Sequence, residues 1–210
     1  WMLGTRNSFI VGISATLLAT ALGTVAALGL SRPHMPFKGT IMAILISPMI
    51  VPLIITSAGM FFFYSKIGLT HTYLGLILAH TALGTPFVVI TVTATLTGFD
   101  TNLIRASQSL GADTMRTFFK VIMPLILPGV ISGALFAFIT SFDEVVVVMF
   151  IGSVEQITIP KQMWAGLRQE TSPVILCMAT CLVALSIALL TTVELLRRRS
   201  ERLRGIKLRN

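Results

Sequence analysis

Charge is scarce in this sequence. Of its 210 residues only 11% are charged, whereas 54% are hydrophobic. A soluble domain of this size needs more charge to cover its surface, so the composition excludes an ordinary soluble globular protein. The apolar runs are continuous and lack the alternation that is typical of a membrane β-barrel. The sequence therefore predicts an all-α polytopic membrane protein.

Cysteine and phosphate-binding motifs are also lacking. The two cysteines, Cys177 and Cys181, lie one helical turn apart in an apolar run, which excludes a disulfide framework and offers too few ligands for a zinc site. No G-x-x-x-x-G-K-[ST] loop occurs in the chain. We therefore expect a non-catalytic protein without a cofactor of its own.

Five apolar stretches supply the roughly 20 residues needed to cross about 30 Å of hydrocarbon. Pro48 and Pro52 in the second stretch favour a kinked helix, either beside a pathway or in simple packing. His80 in the third is a candidate functional group, but we favour a structural hydrogen bond to a neighbouring helix because no acid lies within a turn of it. The predicted spans are about 8–30, 40–64, 73–97, 123–142 and 173–196, within a transmembrane domain of residues 1–196.

The basic residues predict the topology. Most of them lie in the tail, residues 197–210, in the loop that holds Arg32 and Lys38, and in the polar stretch 98–120. The positive-inside rule places all three segments in the cytoplasm. The tail is interpreted as a cytoplasmic flank, because no aromatic platform accompanies it for nucleic-acid binding. An external Trp1 without a signal peptide predicts that an upstream span is missing, which would give six spans in the intact subunit.

The polar stretch between the third and fourth spans predicts a helix–turn–helix. Asp100 suits the start of a helix that runs to Leu110, and Gly111 can end it in the left-handed conformation. Asp113 can cap the next helix, which continues into the membrane. The first helix presents a face of small residues that fits a groove in a soluble partner.

This stretch resembles the cytoplasmic EAA loop of ABC-importer permeases. The family pattern is E-A-A, three residues, G, nine residues, I-x-L-P, and the segments RASQSLGA and FKVIMPLILPG match its spacing. The segments LILAHTALGTPFVV, SFDEVVVVMF and TIPKQMWAGLRQETSP look like the spermidine/putrescine group of these permeases. The resemblance covers nearly the whole chain and lacks only the first span of the family and the loop before it.

The resemblance implies a type I ABC importer permease bundle in a bacterial cytoplasmic (inner) membrane. Its implied partners are a dimer of ATP-binding subunits, which bind ATP and Mg, a second homologous permease, an extracytoplasmic substrate-binding protein and the lipid bilayer. It implies no nucleic acid. The residues implied to couple to the ATPase are Arg105, Ala106, Ser107, Gly111, Ala112 and Asp113.

Arg105 departs from the family pattern, because it stands where the family has its leading acid. An arginine cannot make the salt bridge of a carboxylate with a basic groove. Two interpretations remain open: the ATPase carries a compensating acid, or Arg105 faces solvent while Ala106, Gly111 and Ala112 keep the steric part of the motif.

Acidic residues are candidates for the path of a cationic substrate. Asp143 and Glu144 follow the fourth span beside Phe142, at an apolar boundary where carboxylates are costly and a cation would relieve the cost. The alternative is that they cap a helix break. Two rival functions are an ion-coupled carrier or channel that acts alone, which the lack of an acid–base chain in the spans disfavours, and a membrane scaffold that anchors a soluble partner.

Overall fold

The computed structural model describes residues 1–32, 34–97, 100, 102–169 and 173–203. Every regular element in these ranges is a helix, which confirms the predicted all-α class. The helices are α1 (Met2–Leu30), α2 (Lys38–Ile50), α3 (Leu53–Ile67), α4 (Tyr73–Thr97), α5 (Asn102–Ser109), α6 (Thr114–Thr117), α7 (Met123–Phe142), α8 (Val146–Ile151), α9 (Ile159–Gln169) and α10 (Pro173–Leu203), with a π-helical turn, Phe118–Ile122, between α6 and α7.

Four segments within the described ranges are long and apolar enough to cross a membrane. They are Met2–Leu30, Tyr73–Thr97, Thr114–Phe142 and Pro173–Thr192. The pair α2 and α3 passes the same test only when its two helices are counted together, which gives up to five spans. These segments agree with the predicted polytopic architecture. Helix α10 continues past residue 196, and residues 204–210 of the predicted tail lie outside the described residues.

The second predicted span is broken rather than kinked. Helices α2 and α3 meet at an angle of 105°. Val51 is extended (ψ 133°), as sterics favour for a residue before proline, and Pro52 precedes α3 as its N-cap. Helices of 13 and 15 residues have lengths of roughly 20 Å each, so neither crosses about 30 Å of hydrocarbon alone.

Helices α1, α4 and α7 form the centre of the bundle. Small residues recur every fourth position on α1 (Ala15, Ala19, Gly23 and Ala27) and on α7 (Gly129, Gly133 and Ala137). Such stripes let helix backbones approach closely. Van der Waals contacts between the helices then stabilise their association, because in lipid there is no hydrophobic driving force between helices. A Cβ added at Gly84 of α4 would lie 3.0 Å from the Cβ of Ala137 and 3.4 Å from that of Ala19. The three helices therefore meet at Gly84.

His80 extends the same packing row by one turn. Its Nδ1 lies 2.8 Å from Oγ of Ser141 on α7, and its side chain is buried. A polar side chain inside a membrane bundle needs such a partner, because hydrocarbon offers none. The predicted structural hydrogen bond to a neighbouring helix is confirmed.

A π-helical turn joins α6 to α7 without a loop. The amide of Met123 donates to the carbonyl of Phe118, five residues back. Pro124 follows at once and has no N–H to donate, and its ring crowds the carbonyl four residues before it. The wider turn accommodates the proline, so helical backbone is continuous from Thr114 to Phe142.

The described basic residues of the predicted cytoplasmic loops lie at one end of the bundle. Arg32, at the end of α1, lines a cleft together with residues of α5 and α6. We call this end the basic end. The N-termini of α1 and α4 lie at the opposite end with α8 and α9, because the side chain of Asn7 bonds to both Tyr73 and the backbone before α9.

Candidate functional site

The polar stretch at the basic end folds as a hairpin of α5 and α6. The carboxylate of Asp100 accepts the amide of Asn102 at 2.9 Å, which caps the first turn of α5. Ser109 ends the helix, one residue before the predicted end at Leu110. The expected short helix is present, although residues 98, 99 and 101 lie outside the described part of the chain.

The turn of this hairpin has the two features that its residues predict. Gly111 adopts φ +80°, in the left-handed region where a side chain is strained. Asp113 is the N-cap of α6, and its carboxylate accepts the amide of Arg116 at 2.9 Å. Both local predictions are confirmed, and together they fix the direction in which the chain enters α6 and then α7.

One side of α5 faces the rest of the protein. Oγ of Ser107 lies 2.7 Å from Oγ1 of Thr117, which joins the two arms of the hairpin. Ile104 and Gln108 line a cleft of about 430 Å³ that α5 forms with the ends of α1 and α4. The hairpin is therefore attached to the bundle and covers its basic end.

The opposite side of α5 is exposed. Its side chains lie three and four residues apart and so form one stripe, which we call the outer stripe. Arg105 and Ala106 lie at its centre. The stripe consists of Asn102, Arg105, Ala106 and Ser109.

All six predicted coupling residues thus lie within one hairpin, but they face different ways. Arg105 and Ala106 are exposed on the outer stripe, whereas Ser107 turns inward to α6. Gly111, Ala112 and Asp113 form the turn and the cap. Their proposed contact with an ATPase remains a prediction.

The second candidate group lies at the opposite end of the bundle, where α7 ends and α8 begins. Glu144 is 8% exposed, and its Oε1 accepts the amide of Val147 at 2.9 Å. Burial raises the pKa of this carboxyl, and the amides at the start of α8 partly offset that effect. Glu144 therefore caps α8, which is the alternative role expected for it.

Asp143 and Phe142 have different surroundings from Glu144. The ring of Phe142 is buried and packs against Phe138 and Phe9 at centroid distances of 5.2 and 5.1 Å. Phe142 is therefore a packing residue. The side chain of Asp143 is exposed, yet partial burial raises the pKa of its carboxyl. Of the three predicted path residues, Asp143 alone offers an exposed carboxylate.

Lys161 of α9 stabilises the other end of α8. Its Nζ donates to the carbonyls of Val148 and Gly152 at 3.1 and 3.2 Å. Burial lowers the pKa of this ammonium. The carbonyl of Val148 also accepts the amide of Gly152, so Lys161 adds a second hydrogen bond there. A cation at a helix C-terminus also complements the helix dipole.

Asn7 is a structural anchor that the sequence did not reveal. It is 0% exposed, and its Nδ2 donates to the carbonyls of Glu155 and Ile157 at 2.7 and 2.9 Å. Its Oδ1 accepts the hydroxyl of Tyr73 at 2.8 Å. One amide therefore ties α1, α4 and the segment before α9 together. No local pattern marks this residue, because all three partners are distant in sequence.

Comparison with known proteins gives a family match and similar curated proteins. Residues 19–202 match the family model described as "Binding-protein-dependent transport system inner membrane component". The chain is 30% identical over 194 residues to the spermidine/putrescine transport system permease protein PotC of Haemophilus influenzae, with coverage of 92% of this chain and 76% of that protein. It is 29% identical over 189 residues to the putrescine transport system permease protein PotI of Escherichia coli K12, with coverage of 82% and 66%.

Solved structures of low sequence identity share the fold. A chain of the methionine ABC transporter MetNI, in an inward-facing conformation, superposes with a TM-score of 0.72 at 20% identity, over 94% of each chain. A chain of an amino acid ABC transporter superposes with a TM-score of 0.68 at 16% identity, over 93% of this chain and 92% of that one.

Proposed function

Because the chain belongs to the family of binding-protein-dependent transport system inner membrane components, and is a permease subunit of an ABC importer, we propose that it carries a small polyamine-like cation and couples to a separate ATPase through α5 and α6. The hairpin carries this proposal. It is a folded, capped element whose first helix, α5, lies outside the candidate spans, it presents an exposed stripe, and it continues as helix into α7.

The proposed partners are those that the family implies. A hairpin that covers the basic end fits the groove of a soluble subunit, and a dimer of ATP-binding subunits would supply the hydrolysis. We place the basic end, with α5, α6 and the tail, in the cytoplasm, as the positive-inside rule indicates. α8 and α9 then face the extracytoplasmic side, where a substrate-binding protein would dock. A second homologous permease would complete the pathway.

The polyamine assignment rests on two supports. Curated relatives named as spermidine/putrescine and putrescine permeases match most of the chain. Asp143, at the end that we place outside, offers an exposed carboxylate to a cation. Glu144 contributes to the cation site indirectly. As the cap of α8, it fixes the bend in which Asp143 lies.

The proposed transport mechanism is alternating access. Closure of the ATPase pair on ATP would displace the hairpin, and the helix that runs from Thr114 to Phe142 would carry this displacement to the opposite end. Access would then alternate between the two sides of the membrane, because ATP favours one of two arrangements of the spans.

Reconstitution of the whole transporter tests the proposal. The subunit would be placed in proteoliposomes with its ATPase, its partner permease and its binding protein, and uptake of radiolabelled spermidine and putrescine would be followed. We expect uptake that requires ATP and ceases with a non-hydrolysable analogue. Uptake driven by an ion gradient without ATP would instead support the ion-coupled carrier.

A further inference from the structure

The outer stripe of α5 carries one charged side chain, Arg105. The other members of the stripe are neutral, and Leu103 and Leu110 beside it are exposed and apolar. Because Ile104 and Gln108 on the other side of α5 line the cleft against the bundle, the stripe faces away from the spans. Arg105 therefore lies on the side of α5 where a soluble partner could reach it.

Neither described carboxylate of the hairpin is directed at Arg105. Asp100 accepts the amide of Asn102 and Asp113 accepts the amide of Arg116, each at 2.9 Å. At these places the carboxylates satisfy helix N-termini and complement their dipoles. Among the residues that the structure describes, Arg105 has no ion pair.

A partner that covers the stripe must accommodate this guanidinium. A buried charge without a partner is strongly destabilising. A carboxylate supplies the matching acceptor, because the planar guanidinium donates two parallel hydrogen bonds to it. An apolar or basic groove lacks this acceptor.

We propose that Arg105 pairs with a carboxylate of the ATP-hydrolysing subunit, so that this permease recognises an acidic site in the docking groove. The inference rests on the proposed function and adds the chemistry of the contact. It also predicts specificity: an ATPase groove that is built to receive an acid at this position would repel Arg105.

Binding between the whole permease and its ATPase tests the pairing. Tagged permease in nanodiscs, co-expressed with its transport partners, would be immobilised, and the retained ATPase would be measured at low and high salt. We expect Arg105→Glu to reduce retention about tenfold or more and Arg105→Ala to reduce it less. Arg105→Lys should retain more than Arg105→Ala but less than the wild type, because it keeps the charge and loses the two parallel hydrogen bonds. The wild-type complex should weaken as salt rises to about 1 M, because exposed charges are then screened.

The matched control is Lys66→Glu, which makes the same charge change at the opposite end of the bundle and should leave retention unchanged. A charge reversal in the ATPase groove, from acid to arginine, should restore binding to Arg105→Glu and weaken binding to the wild type. Size-exclusion profiles would establish that the variants fold alike.

The outcomes separate the inference from the proposed function. If wild-type permease retains an ATPase and Arg105→Glu retains as much, the charge pairing is wrong while the coupling function stands. If wild-type permease retains no ATPase, both are wrong.

Discussion

Glu144 and Lys161 hold the two ends of a single six-residue helix, α8. The carboxylate of Glu144 accepts the amide of Val147 at the start of this helix, and the ammonium of Lys161 donates to the carbonyl of Val148 and to that of Gly152 at its end. A helix this short is marginal by itself. Its position beside Asp143 therefore depends on side chains from outside the helix.

Removal of the N-terminal cap should destabilise this end of the protein. We expect Glu144→Ala to lower the stability by about 1–2 kcal/mol, because the amide of Val147 loses its acceptor in a buried place. Glu144→Gln keeps an acceptor oxygen and should lose less. Size-exclusion profiles after heating in detergent would rank the variants. Equal loss in both would mean that the charge, rather than the hydrogen bond, is what matters.

Substitution of Asp143 should affect transport more than the stability of the protein. We expect Asp143→Asn to raise the KM for spermidine uptake several-fold, since an exposed carboxylate that attracts the cation is lost. Glu144→Gln is the matched control, because it removes a charge one residue away and keeps the capping oxygen. An unchanged KM and rate for Asp143→Asn would remove Asp143 from the path.

The same carboxylate predicts a dependence on pH. Burial raises the pKa of Asp143, so its negative charge is lost at a higher pH than for a free aspartate as the medium is acidified. We expect the KM of the wild type to rise as the pH falls through this pKa. The KM of Asp143→Asn should lack this component, which a parallel pH series would reveal.

Replacing Gly111 with a residue that has a side chain should destabilise the hairpin, although space for a Cβ is available. No atom lies within 4 Å of a Cβ added there, but φ is +80°. We expect Gly111→Ala to destabilise the hairpin by about 1–2 kcal/mol, because a left-handed L-residue is strained. Gly111→Asn should cost less, since asparagine tolerates this conformation. Hydrogen exchange of peptides from α5 and α6 would measure both, and identical exchange in wild type and Gly111→Ala would contradict the argument.

Gly133 tests the close packing of the bundle. A Cβ added at this residue would lie 2.7 Å from Cα of Val88, so α4 and α7 would have to move apart. We expect Gly133→Ala to cost about 1–3 kcal/mol through overpacking. Gly59→Ala on α3 is the control, because nothing lies within 4 Å of its added Cβ. The same heating assay would compare the two, and equal stability would contradict the tight contact.

Helices that follow from local composition could be predicted from the sequence. The third span is predicted at 73–97, and α4 runs from Tyr73 to Thr97, since its apolar run is bounded by polar residues. The conformation of Gly111 and the cap of Asp113 also depend on residues close in sequence. For His80, the lack of a nearby acid indicated a structural bond, although Ser141 itself could not be identified from the sequence.

Features that depend on distant or cooperative contacts were not predictable. The break between α2 and α3 lies at Pro52, but their angle of 105° is accompanied by contacts of α2 with α4 and of α3 with α8, which are distant in sequence. The anchor at Asn7 joins residues about 150 positions apart. The prolines Pro48 and Pro52 indicated a kink, and hydropathy indicated a first span at about 8–30, but neither signal carries information on which groups meet across the bundle.

The continuous helix from Thr114 to Phe142 can act as a lever. Its 29 residues extend roughly 43 Å at 1.5 Å per residue, from the cap at Asp113 to the bend at Asp143. About two thirds of the way along it, Gly133 packs against Val88 and can serve as the fulcrum. An arm that pivots at an interior point moves its two ends in opposite directions. A tilt imposed at Asp113 would therefore swing Asp143 the other way, with no loop between them to absorb the motion.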